Sequence, residues 1–208
     1  MLRERLTITL EPDLIAAADA LVDKSSIRNR SHALEHLIKE GLGLHLLRQA
    51  FIFADDTWEQ PQAEALVKLC QNQGIDTIFL CAKSESARAD LRTLAPEITI
   101  QDVPLDFGTG GAVLLQQTNL QHPFLLAWLN PALTLPKSLI GAYAAHRRQN
   151  QTVTQLITGN GETFASAGIY IANPSLLPLI PAGQASLEQT VFPELLKNGN
   201  MATYAITV

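Results

Sequence analysis

The chain has 208 residues, 47% hydrophobic and 17% charged, with a formal charge of −5. This is the composition of a globular protein able to build its core without disulfide or metal staples. The acidic balance excludes a generally basic nucleic-acid coat, though not a small local DNA-binding surface. No apolar run approaches the roughly 18 residues of a membrane-crossing helix, and MLRERLTITLEPD lacks the apolar stretch of a signal peptide. Cys70 and Cys81 are the only cysteines, and no histidine–cysteine cluster accompanies them. A reduced, cytoplasmic setting with no metal and no cofactor is therefore expected.

Charge is unevenly spread. Residues 1–48 carry 7 Lys/Arg against 7 Asp/Glu, and the remainder carries 8 against 13. In RERLTITL, Leu6, Ile8 and Leu10 alternate with Arg5, Thr7 and Thr9, the period-2 pattern of a strand with one buried face. Glu11-Pro12-Asp13 then opens a helix whose apolar stripe is Leu14, Ala18, Leu21 and Val22. Asn29 is a good cap for a second helix carrying Ala33, Leu34, Leu37 and Ile38. One strand and two short helices bury too little alone. Pairing the strand with its copy from a second chain gives each strand a neighbour and predicts an obligate homodimer.

From residue 49 onward strands and helices alternate. Strands are expected at 49–54, 76–82, 98–103, 124–128, 152–158, 169–172 and 202–208. Helices are expected at 62–73, 84–94, 108–117, 137–149 and 186–198, with Gly74 ending the first of them. That alternation indicates a largely parallel three-layer α/β sheet. Cys70 and Cys81 fall on a helix and a strand as core residues, while His146-Arg147-Arg148 reads as a surface cluster.

Residues 3–41 resemble the ribbon-helix-helix family of DNA-binding proteins, the MetJ, Arc and CopG type. RLTITL with its proline-started helix carries one half of the likeness and NRSHAL at 29–34 the other. The resemblance implies a module over 1–44 whose paired strands enter the major groove of double-stranded DNA. Arg5, Thr7 and Thr9 would then face the bases. Arg28, Asn29, Arg30 and Ser31, at the start of the second helix, would sit over a phosphate. His32 stands where the family usually has an acid, which removes the reciprocal capping bond.

Residues 48–208 resemble sugar-phosphate nucleotidyltransferases through FGTGGAVLL at 107–115, SAGIYIANPSLLPLIP at 166–181 and SLEQTVFPELLKNGNMATY at 186–204. The resemblance implies a Rossmann-like nucleotidyltransferase fold. In it, Gly108, Thr109, Gly110 and Gly111 would lie near a nucleotide, and Ser166 and Tyr170 beside a sugar. The family's glycine-rich loop with its arginine and lysine is replaced by Ala54-Asp55-Asp56-Thr57-Trp58-Glu59, and no basic residue lies between Arg48 and Lys68. Asn130 stands where the family has its magnesium-binding aspartate, and Ser166 replaces an asparagine. Adjacent aspartates on an extended chain point to opposite faces, which makes Asp55 and Asp56 a poor shared metal site.

The function expected from these features is a homodimeric, sequence-specific DNA-binding transcriptional regulator, not an enzyme. Its catalytically inactive second domain would sense a nucleotide or sugar nucleotide or contact another protein. The alternative is a divergent sugar-nucleotide-binding or nucleotidyltransferase-like enzyme that its N-terminal module dimerises.

Overall fold

In the computed structural model, which describes residues 7–24, 27–42, 47–54, 57–82, 84–94, 97–159 and 163–206, the chain divides into two units, Met1–Leu42 and Gly43–Val208. The first holds α1 (Pro12–Ala20) and α2 (Arg30–Leu42). Proline at the first position costs α1 nothing, because that N–H has no partner within a helix. Asn29 caps α2 as expected, its Oδ1 accepting from the His32 N–H at 3.0 Å. In place of the reciprocal bond to the Asn29 N–H, the His32 imidazole turns to the residue before the cap. Its Nδ1 accepts the Arg28 N–H at 3.4 Å, the long end of a hydrogen bond.

Arg30 does not stand free for a phosphate. Its Nε and Nη2 donate to the Asp19 carboxylate at 2.7 and 2.6 Å, tying α2 to α1 and holding that carboxyl below its usual range. Ala18 and Ala33 are fully buried, but Leu14, Leu21, Leu37 and Ile38 stay 37–53% exposed, so the predicted stripe lacks a cover. The expected ribbon is not shown. Arg5 lies outside the described residues, and Thr7 and Thr9 belong to a segment, Thr7–Leu10, that forms no strand. A strand needs a ladder partner, and the described chain offers none.

The second unit is a mixed seven-stranded sheet in the order β3-β2-β1-β4-β6-β5-β7. Its strands are β1 (Gln49–Ala54), β2 (Thr77–Ala82), β3 (Thr99–Asp102), β4 (Phe124–Leu129), β5 (Val153–Gly159), β6 (Phe164–Ala172) and β7 (Met201–Ala205). Only β6 runs against its neighbours; the other pairings are parallel. Helices α3 (Gln60–Gln73), α4 (Glu85–Leu94) and α6 (Ile140–Gln149) cover one face. The other face carries α5 (Gly108–Leu114), a 3₁₀ segment (Pro174–Leu179), a π turn (Leu187–Val191) and α7 (Phe192–Lys197).

The central strands are buried on both faces, which is why FIFA, IFLCA and FLLAWL read as unbroken apolar runs. The first face packs leucines such as Leu66, Leu80 and Leu129. The second packs aromatics, with the Phe51 ring 4.7 Å from Phe79 and 5.8 Å from Phe124. Gly74 closes α3 at φ 77°, the left-handed conformation expected of it. Both cysteines are core residues, and burial pushes the Cys70 thiol up to about 12.

Three elements differ from the sequence expectation. Strand β6 begins five residues earlier than 169, because pairing with β5 extends it through Phe164–Gly168, a stretch of small residues and one exposed phenylalanine with no strand periodicity. The segment 186–198 is a π turn followed by a short helix rather than one helix. His146 is not part of a surface cluster: it is 1% exposed, with Nδ1 2.8 Å from the Thr154 hydroxyl, whereas Arg147 and Arg148 stay exposed.

Burial holds the His146 pKa below its ordinary 6.5, with the Asn173 side chain opposing in part. The unfolded chain therefore takes the extra proton first. Stability is full above about pH 6.5 and declines as pH falls from there toward the lowered folded value. His146→Gln is expected to flatten that decline; parallel wild-type and variant curves in urea unfolding between about pH 7.5 and 5 would contradict the assignment.

Candidate functional site at the carboxyl ends of the strands

The sheet order reverses between β1 and β4. The chain first winds outward from β1 through β2 to β3, then crosses back to lay β4 on the opposite flank of β1. The register sets Ala54, the last residue of β1, beside Leu129, the last of β4. In open α/β sheets ligands bind in the crevice outside such a switch point.

Three described side chains lie around the ends of these strands. Asp55 and Asp56 follow β1 in sequence and lie outside the described residues. At the start of α3, Gln62 Nε2 donates to the Pro131 carbonyl at 3.4 Å and ties that helix to the turn after β4, while its Oε1 is buried with no partner. Asn130 shapes the turn itself, since its Oδ1 accepts the Ala132 N–H at 3.0 Å and its carbonyl the Leu133 N–H at 3.0 Å. From α4, Arg88 reaches the end of β2, where Nε and Nη2 donate to the Ala82 carbonyl at 3.2 and 2.7 Å and Nη1 bonds Glu85 at 3.2 Å. The sequence pattern could not supply this cation, because its place depends on how α4 packs.

These described residues do not make a divalent-metal site. Asn130 brings a neutral oxygen that a backbone N–H already occupies, and no group of three His, Cys, Asp or Glu comes together among the described residues.

A second polar group lies on the aromatic face, at the same edge of the sheet. Between Ser166 and Tyr170 strand β6 carries a bulge, pairing Ser166 with Ile157 and Tyr170 with Gln155. Gly168, at φ 75°, makes that bulge possible. The Ser166 Oγ thereby comes within 3.1 Å of the Tyr170 hydroxyl and accepts the Gly168 N–H at 3.2 Å. Gln155 Nε2 donates to the same tyrosine oxygen at 3.3 Å. Tyr170 is stacked 4.7 Å from Phe192 and edge-on, 5.1 Å, to Trp128, which also lies 4.8 Å from Phe53.

Glu188, on the π turn that leads into Phe192, has no counterpart among the residues singled out from sequence. Partial burial pushes its pKa above the usual glutamate range, with the Trp128 side chain opposing in part. Burial raises the Tyr170 pKa, and the Glu188 charge adds to the rise. No periodic signal marks Glu188, because it sits on an irregular turn that has no period to read.

The glycine turn at 108–111 docks onto the segment that carries Glu188. Gly110 N–H donates to the Ala185 carbonyl at 2.8 Å, Ala185 N–H to the Phe107 carbonyl at 2.9 Å, and Leu187 N–H to the Thr109 hydroxyl at 2.8 Å. A Cβ on Gly110 would press Ala185 and Ile180 at 3.0 Å, and one on Gly111 would overlap Phe107. Gly108, Thr109, Gly110 and Gly111 thus form a latch, and Ser166 and Tyr170 meet 3.1 Å apart. Arg28, Asn29, Arg30 and Ser31 belong to the other unit.

Fold and crevice together define a three-layer mixed α/β unit with a switch point between β1 and β4. No protein-family model and no curated protein matches the chain in sequence. Among solved structures it is similar to 4-diphosphocytidyl-2C-methyl-D-erythritol synthase from Anaerococcus prevotii, with a TM-score of 0.54 and 6% identity over 79% of this chain and 90% of that one. Glucosyl-3-phosphoglycerate synthase from Mycobacterium tuberculosis, in complex with Mn²⁺, UDP and glucosyl-3-phosphoglycerate, gives 0.57 and 13% over 82% and 74%. A CMP:2-keto-3-deoxy-manno-octonic acid synthetase complexed with CTP gives 0.50 and 9% over 77% and 90%.

At such identities the likeness is one of fold. It nevertheless corrects the functional expectation. The fold fills most of the chain, and these neighbours are synthases and a synthetase, none a DNA-binding protein. The DNA-binding regulator and the non-enzyme reading give way to the enzyme alternative, which these folds back better, and the double-stranded DNA partner is left without support. No helix among the described residues is long and apolar enough to cross a membrane.

Proposed function

We propose that residues 48–208 form a transferase that binds a nucleotide, free or as a sugar nucleotide, across the β1/β4 switch point and transfers a group to or from a sugar. The observation that carries this reading is the reversal of strand order beside Ala54 and Leu129. Two features support it. Arg88 brings a guanidinium, suited to phosphate oxygens, to the end of β2. Ser166 and Tyr170, at the same edge, are the sugar contacts. The glycine turn Gly108–Gly111 positions the π turn next to them.

Calorimetric titration with UDP, CTP and UDP-glucose tests the reading. At least one is expected to bind, and Arg88→Gln to weaken it by about tenfold, the scale of one charged hydrogen bond. Absence of heat from all three would remove the proposal.

Residues 1–44 serve this enzyme as a dimerisation module in the same reading. The uncovered stripe of Leu14, Leu37 and Ile38 supports it, because a unit this small needs a second copy to complete its core. Leu37→Glu/Ile38→Glu is expected to halve the mass seen by light scattering; an unchanged mass, or a monomeric wild type, would refute the dimer.

A further inference from the structure

At the carboxyl ends of β2 and β3, two arginines of α4 share one glutamate. Glu85 Oε2 lies 3.2 Å from Arg88 Nη1, and its Oε1 lies 3.8 Å from Arg92 Nη1, so each carboxylate oxygen faces a different guanidinium. Both arginines are tethered by their other nitrogens. Arg88 Nε and Nη2 donate to the Ala82 carbonyl at 3.2 and 2.7 Å, and Arg92 Nη2 donates to the Asp102 carboxylate at the end of β3. Glu85 is the loose member of the group. Its side chain is 75% exposed, against 26% for Arg88 and 45% for Arg92.

An exposed ion pair contributes little, because water solvates both partners and a long side chain loses rotamer freedom to stay in place. Here that loss falls mainly on Glu85, since the two guanidiniums keep their tethers when it leaves. A carboxylate with one oxygen on each of two anchored guanidiniums occupies the place that two phosphate oxygens would take. With Glu85 turned to solvent, Asp102 still offsets Arg92 while the Arg88 charge is uncompensated, and the place is net positive. We infer that Arg88 and Arg92 form a phosphate clamp and that Glu85 is its built-in counterion, displaced by a phosphate of the bound nucleotide. The inference rests on the transferase reading above. It adds Arg92 to the site and makes Glu85 a brake on affinity for phosphates that leaves the uncharged nucleoside unaffected.

Calorimetric titration of the full chain with UDP, inorganic pyrophosphate and uridine tests this. Glu85→Gln is expected to tighten UDP about fivefold, the upper scale of an exposed pair, and to leave uridine unchanged. Glu85→Asp distinguishes a seated counterion from a charge that is merely near. It keeps the charge on a side chain one methylene shorter, which no longer spans both guanidiniums, and should tighten UDP as well. Asp90→Asn removes another exposed charge of α4, two positions from Arg88 and so off its face, and should change nothing. Arg92→Gln should weaken UDP about fivefold. Pyrophosphate that responds with UDP assigns the clamp to phosphate as such; pyrophosphate that does not bind while UDP responds assigns it to the phosphates of a seated nucleotide. UDP affinity unmoved by Glu85→Asp or by Arg92→Gln, tightened as much by Asp90→Asn as by Glu85→Gln, or matched in its response by uridine would each overturn the inference. Any of these with UDP still bound sinks the clamp alone. Absence of heat from UDP, CTP and UDP-glucose, in the wild type and in Glu85→Gln, sinks the transferase reading beneath it.

Discussion

Gly108→Ala is expected to destabilise the protein by about 2–4 kcal/mol, from two independent penalties. Gly108 has φ 73°, a conformation that costs a residue with a Cβ about 1–2 kcal/mol. The added Cβ would also stand 2.5 Å from the Ala185 carbonyl oxygen, a backbone atom that cannot rotate away. Relief requires the 183–187 segment to retreat, stretching the bonds that Gly110 and Thr109 make to it. Gly183→Ala is the matched control, because Gly183 has φ 95° but no atom within 4 Å of its added Cβ. It should show the conformational cost alone, about 1 kcal/mol. Equal midpoint shifts for the two variants in urea unfolding would show that the latch carries no strain. Since the latch holds the segment that leads to Phe192, whose ring stacks on Tyr170, Gly108→Ala should also weaken sugar binding more than nucleotide binding.

Trp128→Ala is expected to have the other large effect, about 3–5 kcal/mol, the range for deleting a large buried aromatic side chain. The indole is 8% exposed and touches Phe53, Tyr170 and Phe192, with ring centroids 4.8, 5.1 and 6.0 Å away. Its removal opens a cavity that these rings fill only in part. Trp128→Phe keeps an aromatic ring in the cluster and should lose less than half as much stability. A phenylalanine variant as destabilised in urea unfolding as the alanine variant would show that ring packing does not account for the effect.

The interior of the sheet was readable from the sequence because its strands are buried on both faces. FIFA, IFLCA and FLLAWL leave no polar alternation, and the capping residues Asn29 and Gly74 act through local backbone geometry alone. Strand β6 was read too short because its first residues gain partners only from β5. His146 was read as exposed because its neighbours are arginines; helix periodicity does not reveal that its side chain meets Thr154 on a strand. The function was misread for a related reason. Residues 3–41 hold a dense local pattern that reads as a DNA-binding module, whereas the longer segment shows its fold through contacts between distant residues.

Composition, periodicity and caps determined by themselves that this protein has a short helical N-terminal segment followed by a three-layer α/β sheet. Those signals act between residues a few positions apart, so one linear stretch contains them. The site depends on contacts between distant residues: Ala54 beside Leu129, Arg88 at the end of β2, and Ser166 and Tyr170 gathered by a bulge. Crossover connections and packing decide which strand ends adjoin, and no local pattern encodes that choice.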